Sequence, residues 1–115
     1  MTKIQEQQRA YQLTLLGRLR DELVEHGVIV VLAAGEDDKR PWLDVTDADD
    51  RVRKVTVHLA FLWFYWGDQA DERVSCTDVG YAADRIREAA LAGWHPGEQG
   101  ELSFNLGNAA RAYLP

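Results

Sequence analysis

The run of apolar and aromatic residues at positions 59–66, Leu-Ala-Phe-Leu-Trp-Phe-Tyr-Trp, constrains this chain more than any other segment. A helix needs about 20 such residues to cross a bilayer, so the run is too short for a membrane span. Its aromatic residues favour a pleated, buried strand. The run therefore predicts a core strand with apolar side chains on both faces. Its second face must be covered by the protein's own helices or by another chain.

The same run follows the alternating segment from Val52 to His58 with no turn residue between them. A straight strand from Val52 to Trp66 would be about 50 Å long at roughly 3.3 Å per residue. A domain of this size has a radius of gyration of only about 13 Å. The sequence thus predicts a bend, bulge or turn around positions 58–62. The alternative is a strand that projects as a platform for a partner chain.

Two helices are predicted from apolar residues that recur at helical spacing. The first runs from about Arg9 to His26 and ends before Gly27, after a frayed start; its buried stripe is Tyr11, Leu15, Leu16, Leu19 and Leu23. The second begins near Thr77 or Asp78, both good N-cap residues, and ends at Gly93. Its alanine-rich face allows close approach to a sheet.

The segments between the helices predict strands. The β-branched run 28–34 indicates a central strand or one covered on both faces, and shorter strands are predicted around 42–45 and 74–75. Residues 1–93 therefore form an α+β domain with two layers. We expect an antiparallel sheet of three to five strands packed on two helices, in the order α-β-β-β-(β)-α.

Residues 94–115 form a C-terminal tail of different character. Leu102, Phe104 and Leu106 alternate as in a short strand, whereas glycines and prolines interrupt the rest. A tail with three alternating hydrophobic residues is not a flexible linker. We expect it to dock on its own domain or on a partner chain.

The charge of the chain restricts its partners. With 19 acidic and 13 basic residues, the formal charge is −6 and the pI is near 4.9. This balance weighs against nucleic acid, because phosphate contacts need a positive surface. The N-terminus has no apolar core of the kind that a signal peptide requires. We therefore expect a cytoplasmic protein without a membrane or nucleic-acid partner.

Catalytic signatures are weak in this sequence. Cys76, the only cysteine, precedes the second helix and could act as a nucleophile with His58 or His95 as its base. No cysteine-enzyme motif surrounds it, so a small buried hydrophobic residue is the favoured interpretation. His58 is interpreted as a strand histidine on the solvent face. We predict no catalytic residue and no cofactor.

An acidic cluster, Asp44, Asp47, Asp49 and Asp50, suggests a calcium loop. A loop of the EF-hand type starting at Asp47 needs glycine at its sixth position and glutamate at its twelfth. Val52 and His58 occupy those positions. The cluster therefore predicts a solvated hairpin turn, and no metal site is expected.

Large apolar residues carry the best functional signal. Tryptophan is enriched at interface hot spots because it buries much area and donates one hydrogen bond. If the strand is unbroken, Val57, Trp63 and Tyr65 share one face, and Leu62, Phe64 and Trp66 share the other. A bulge would swap these assignments beyond it. The residues predicted to contact a partner are Trp42, Leu62, Phe64, Trp66, Trp94 and Phe104.

The order of helix, glycine, strands ending in aromatic-Trp-Gly, and alanine-rich helix resembles a group of small uncharacterised actinobacterial proteins. The residues that carry this resemblance lie within about 15–92: Leu19, Leu23, Gly27, Pro41, Leu43, Phe64, Trp66, Gly67, Ala82, Ala83 and Ile86. The group has no assigned chemistry, so the resemblance implies a fold alone. The outline is also similar to secretion-chaperone-like folds, which dimerise and bind other polypeptides.

Two classes of function remain open from the sequence. The first is a non-enzymatic protein-interaction module, adaptor-like or chaperone-like, that forms a homodimer through the aromatic strand or binds another protein. The alternative is a small-molecule-binding protein or enzyme. Its aromatic pocket would lie between sheet and helices, lined by Tyr65, Trp66, Cys76 and Trp94.

Overall fold

The computed structural model of the chain describes residues 2–34 and 40–95. Its elements in chain order are α1 Lys3–Glu25, β1 Val30–Ala33, β2 Trp42–Thr46, β3 Val52–His58, β4 Trp63–Tyr65, β5 Arg73–Ser75 and α2 Val79–Ala92. A single 3₁₀ turn, Ala70–Glu72, precedes β5. The five strands form an antiparallel meander in the order β1-β2-β3-β4-β5. The α+β class and the two-layer arrangement of sheet and helices are confirmed.

Helix α1 begins earlier than the periodicity indicated. Thr2 caps it, because the Thr2 hydroxyl accepts from the Gln5 amide and the Gln5 side chain accepts from the Thr2 amide. The expected frayed start before Arg9 is therefore wrong. The helix buries Leu15, Leu16, Leu19 and Leu23 as predicted, but Tyr11 is 49% exposed, because the buried stripe begins only at Leu15. Gly27, with φ +81°, follows the helix in the left-handed conformation that glycine adopts without strain.

Strand β1 differs from its prediction as a central strand or one covered on both faces. It pairs only with β2 and therefore forms one edge of the sheet. Val30 and Leu32 pack against the core, whereas Val31 between them is 59% exposed. Only one face of this β-branched run is covered within the described residues.

A tight turn at positions 59–62 connects β3 to β4 and confirms the predicted bend. Leu62 adopts φ 54°, an uncommon conformation for a residue with a β-carbon, and its carbonyl accepts a hydrogen bond from the Cys76 amide at 2.8 Å. The register then pairs Val57 with Phe64. Phe64 consequently points to the same side of the sheet as Val57, and its neighbours on β4 point to the other.

Helix α2 closes the helical layer on the same face of the sheet as α1. Asp78 is its N-cap and accepts from the Tyr81 amide at 3.0 Å, as the sequence predicted. Its buried face is small, which allows close packing against α1 and β5; its buried residues are Ala82, Ala83, Ile86 and Ala90. Gly93, with φ +90°, ends the helix. Between helices and sheet lies the core; its largest members include Trp66, Phe64, Leu16, Leu19, Leu23 and Leu43.

Candidate binding site on the outer face of the sheet

Both helices pack on one side of the sheet, so the opposite side, here called the outer face, is left without a covering element among the described residues. Burial alternates along the strands accordingly, with buried residues on the helix side and partly exposed ones outside. The outer face is formed by Val31, Ala33, Trp42, Asp44, Thr46, Val52, Lys54, Thr56, His58, Trp63, Tyr65, Arg73 and Ser75.

One end of the outer face carries an aromatic cluster, defined here as His58, Phe61, Trp63 and Tyr65. Phe61, in the β3–β4 turn, stacks on Trp63 with ring centroids 4.9 Å apart and lies equally close to His58. Tyr65 lies 6.4 Å from His58 between ring centroids. Phe61 remains 62% exposed despite these contacts. An exposed group of adjoining rings of this kind is typical of a binding surface.

Three cationic side chains lie against aromatic side chains of the outer face, two of them at the aromatic cluster and one at Trp42. The Lys54 ammonium lies 4.6 Å from the centroid of the Trp42 ring, and the Arg73 guanidinium lies 4.4 Å from that of Trp63. Arg40 donates a long hydrogen bond of 3.4 Å to the Tyr65 hydroxyl. None of the three cations forms an ion pair with a carboxylate in the described part of the chain.

Two polar atoms of the outer face have no hydrogen-bond partner within residues 2–34 and 40–95. They are Oγ1 of Thr56 and Nδ1 of His58, and both are buried. Thr56 pairs with Tyr65, and His58 pairs with Trp63, so these atoms lie among the aromatic side chains. An unsatisfied buried polar atom costs about 1–3 kcal/mol. The outer face is therefore not built for stability alone.

The structure corrects most of the predicted partner-contacting residues. Phe64, Trp66 and Trp94 are at most 4% exposed and belong to the core of their own subunit, so they do not form a contact surface. Leu62 is half-buried and packs against the same core. Trp42 alone lies on the outer face. Phe104 lies outside the described residues.

The face on which the aromatic cluster lies is decided by the β3–β4 turn, because the sequence predicts different faces for an unbroken and a bulged strand. Counting alternate positions through an unbroken strand places Trp63 and Tyr65 with Val57, but the turn between them reverses this assignment. The available signal was the length limit on a straight strand, which already required a bend before Trp63. As the sequence also allows, an interruption at this bend swaps the two faces beyond it and moves Trp63 and Tyr65 to the outer face.

A second group of charged residues lies at the opposite side of the sheet and is buried. Arg53 points to the helix side of β3, where its Nη1 donates to Oε2 of Glu72 at 2.8 Å; the two side chains are 4% and 1% exposed. Arg53 also donates to the carbonyl of His95 and lies over the Trp94 ring at 5.5 Å. A Cβ on Gly67 would overlap the Glu72 carboxylate, so a larger residue there would displace that carboxylate from its position beside Arg53.

Asp47 is the other buried carboxylate of this group. It accepts from the amides of Asp49, Arg51 and Trp94 and from the Arg51 side chain, at 2.8–3.2 Å. Burial raises the pKa of Asp47, but the backbone hydrogen bonds and the Arg51 charge outweigh burial and hold the pKa below its usual value. The predicted solvated turn is therefore a hairpin turn, but one whose first aspartate anchors the chain at Trp94.

A cavity of about 300 Å³ lies between the 3₁₀ turn and the end of α2. It is lined by Trp66 and Trp94, two residues of the predicted pocket, together with Asp71, Glu72, Arg85 and His95. The other two predicted residues lie elsewhere: Tyr65 is on the outer face, and Cys76 is a core residue. Burial raises the pKa of the Cys76 thiol to about 11, so the thiolate needed of a nucleophile is scarce at neutral pH.

Within the described ranges, no group of three or more His, Cys, Asp or Glu side chains could hold a metal ion. No helix there is long and apolar enough to cross a bilayer. No family model, curated protein or solved structure matches this chain.

Proposed function

We propose that this chain is a non-enzymatic interaction protein whose outer sheet face binds another polypeptide. The observation that carries the proposal is the aromatic cluster on a face that neither helix covers. Phe61 is 62% exposed within it. The unsatisfied atoms of Thr56 and His58 add support, because departures from optimal stability concentrate at functional sites.

Homodimerisation, which the sequence predicts, is the special case in which the bound polypeptide is a second copy. The resemblance to small actinobacterial proteins, and the outline shared with secretion-chaperone-like folds, also stay predictions. The small-molecule alternative has less support. Its predicted lining residues are divided between the outer face, the core and the cavity at Trp66 and Trp94.

A displayed library of random peptides tests the proposal with the purified chain as bait. Selected peptides should bind the wild-type chain and lose at least about tenfold in affinity when Phe61→Ala and Trp63→Ala are combined, because central aromatic residues dominate interface energetics. Leu91→Ala is the matched control, since Leu91 on α2 is 61% exposed and lies far from the cluster in the helical layer. Its affinities should stay within about twofold of wild type.

Peptides insensitive to the Phe61 and Trp63 changes, or no selected peptide at all, would contradict the proposal. Circular dichroism melting of each variant separates lost binding from lost folding. Sedimentation equilibrium at micromolar concentration tests the homodimer: we expect a dimer that dissociates in the same double variant if the second copy is the partner.

A further inference from the structure

We infer that the outer face binds an acidic, extended segment of a different polypeptide, whose carboxylates pair with Arg40, Lys54 and Arg73. The inference rests on the proposed function and names the chemistry of the partner. It follows from the charge of the outer face, from the contacts that its cations make and from the spacing of side chains on a sheet surface.

The charge of the outer face is opposite to that of the whole chain. Arg40, Lys54 and Arg73 lie on or beside this face, against one carboxylate on its strands, Asp44, in a chain with a net charge of −6. Asp44 already accepts a hydrogen bond from Nε1 of Trp42 at 2.9 Å. A local positive patch on an acidic protein attracts a negatively charged partner and orients it toward that patch.

Lys54 and Arg73 contact aromatic rings but form no ion pair with a carboxylate of residues 2–34 and 40–95. Lys54 and Arg73 lie over tryptophan rings, and a ring contact leaves the N–H groups of the cation available to an acceptor. Elsewhere in the described ranges Arg20, Arg51 and Arg53 bind carboxylates, whereas the ion pairs there include none made by Lys3, Arg9, Arg18, Arg85 or Arg87. An incoming carboxylate would therefore pair with Lys54 and Arg73 without breaking an existing ion pair.

A second copy of this chain fits the outer face poorly. In a two-fold dimer the same surface patch meets itself. Lys54 and Arg73 of one copy would then approach the like charges of the other, with only Asp44 on each strand face to compensate. Like charges brought together in an interface oppose association.

A nucleic-acid strand is also disfavoured. Single strands stack well on aromatic side chains, but they carry a charge on every nucleotide and need a continuous positive track. Three cations on a chain of net charge −6 do not provide one. A peptide with two or three carboxylates matches the charge of the outer face, whereas a longer polyanion exceeds it.

The spacing of side chains on the outer face also matches that of an extended segment. Every second residue of such a segment points to the same side, roughly 6.6 Å apart. Along β3 the outer-face residues Lys54, Thr56 and His58 recur at this same spacing, with Tyr65 and Trp63 beside Thr56 and His58 on β4. Acidic and apolar side chains of a segment running along β3 would therefore meet a cation at one end and aromatic rings at the other. The partner is thus expected to contribute both carboxylates and apolar anchors.

The experiment uses a fluorescein-labelled peptide in which glutamate and phenylalanine alternate at every second position with serine between them. Its fluorescence anisotropy should rise on titration with the full chain, and the apparent affinity should fall as salt is added. Lys54→Glu combined with Arg73→Glu should weaken binding at least about tenfold. The matched control combines Arg87→Glu with Arg18→Glu, which makes the same charge change at two exposed helix positions. This control should change the affinity for the peptide less than about threefold.

Three results would overturn the inference. First, equally tight binding of a control peptide with lysine in place of glutamate would show that carboxylates are not recognised. If that binding were still lost in the Phe61→Ala, Trp63→Ala double variant, the proposed function would stand. Self-association that is lost when Phe61→Ala and Trp63→Ala are combined would identify a second copy as the partner. Tighter binding of a labelled 15-mer of thymidylate than of the acidic peptide, again lost in the charge-reversed double variant, would replace the polypeptide with a nucleic acid.

Discussion

An arginine lies over a tryptophan ring on each side of the sheet, and the two pairs have opposite surroundings. Arg53 and Trp94 are both 4% exposed, and Arg53 is neutralised by Glu72 at 2.8 Å. Arg73 and Trp63 lie half-buried on the outer face, where no carboxylate of the described residues pairs with Arg73. The ring contact alone therefore does not define what either arginine does.

Arg53 has a carboxylate partner and Arg73 has none in the described residues, and this difference follows from the free-energy cost of removing a charge from water. A buried guanidinium is tolerated only when a carboxylate and further acceptors satisfy it, and Arg53 has Glu72 together with the carbonyl of His95. Arg73 remains partly solvated, so it needs no such partner. We conclude that the buried pair fastens Trp94 to the domain, whereas the outer pair leaves the charge of Arg73 partly solvated. Trp94 and His95, the first residues of the predicted tail, thus dock on their own domain.

Removing the charge of Glu72 tests this difference most strongly. Glu72→Gln leaves Arg53 buried without a counter-charge, and we expect the free energy of unfolding to fall by about 3–5 kcal/mol. Urea unfolding followed by tryptophan fluorescence measures this loss. Glu88→Gln, an exposed carboxylate on α2, is the control and should have little effect. A loss below about 1 kcal/mol for Glu72→Gln would mean that the buried pair does not fasten the chain.

Asp47 provides a second test through acid. Its folded pKa is lowered, so its ionised form stabilises the fold above the unfolded pKa of 3.8, and that stabilisation is lost as pH falls through the folded pKa. We expect Asp47→Asn to cost about 2 kcal/mol at neutral pH. Between about pH 5 and pH 2 the variant should also lose less stability than the wild-type chain does. Urea titrations of both proteins across that pH range measure this difference. If the wild-type chain and Asp47→Asn lost equal stability in acid, Asp47 would not be the group that causes the loss.

Truncating Arg73 should have the smallest effect on stability. Exposed contacts between a cation and a ring contribute about 0.5–1 kcal/mol, so Arg73→Ala should lower the free energy of unfolding by no more than that. The same change should weaken binding of the acidic peptide described above. If Arg73→Ala destabilised the fold as much as Glu72→Gln does, the contrast between the buried and outer pairs would be invalid.

Local sequence patterns predicted much of the fold. Leucine spacing identified α1, the Asp78 cap and alanine-rich face identified α2, and alternation identified β3, because these signals depend on neighbours in the chain. The early start of α1 was missed because a frayed tail and a capped helix of polar residues have similar compositions. The edge position of β1 was missed because strand order is decided by tertiary packing.

The candidate site was harder to predict than the fold. Its composition is visible in the sequence, but the face on which each ring lies depends on one turn between Val57 and Trp63. The buried partners of Arg53 are separated from it by many residues, so no local pattern names Glu72. One signal was available: the alternation of β3 places Arg53 on the same side as Val55, which requires a distant carboxylate.

The left-handed Leu62 gives the β3–β4 hairpin a role in deciding what the molecule presents to solvent. Inserting a single residue there would shift β4 by one position, turning Phe64 outward and driving Trp63 and Tyr65 into the space it fills. Homologous chains with the same strand composition but a longer hairpin would then display a different set of rings. Hairpin length, rather than aromatic content, is therefore the character to compare when ligand preference is traced among such chains.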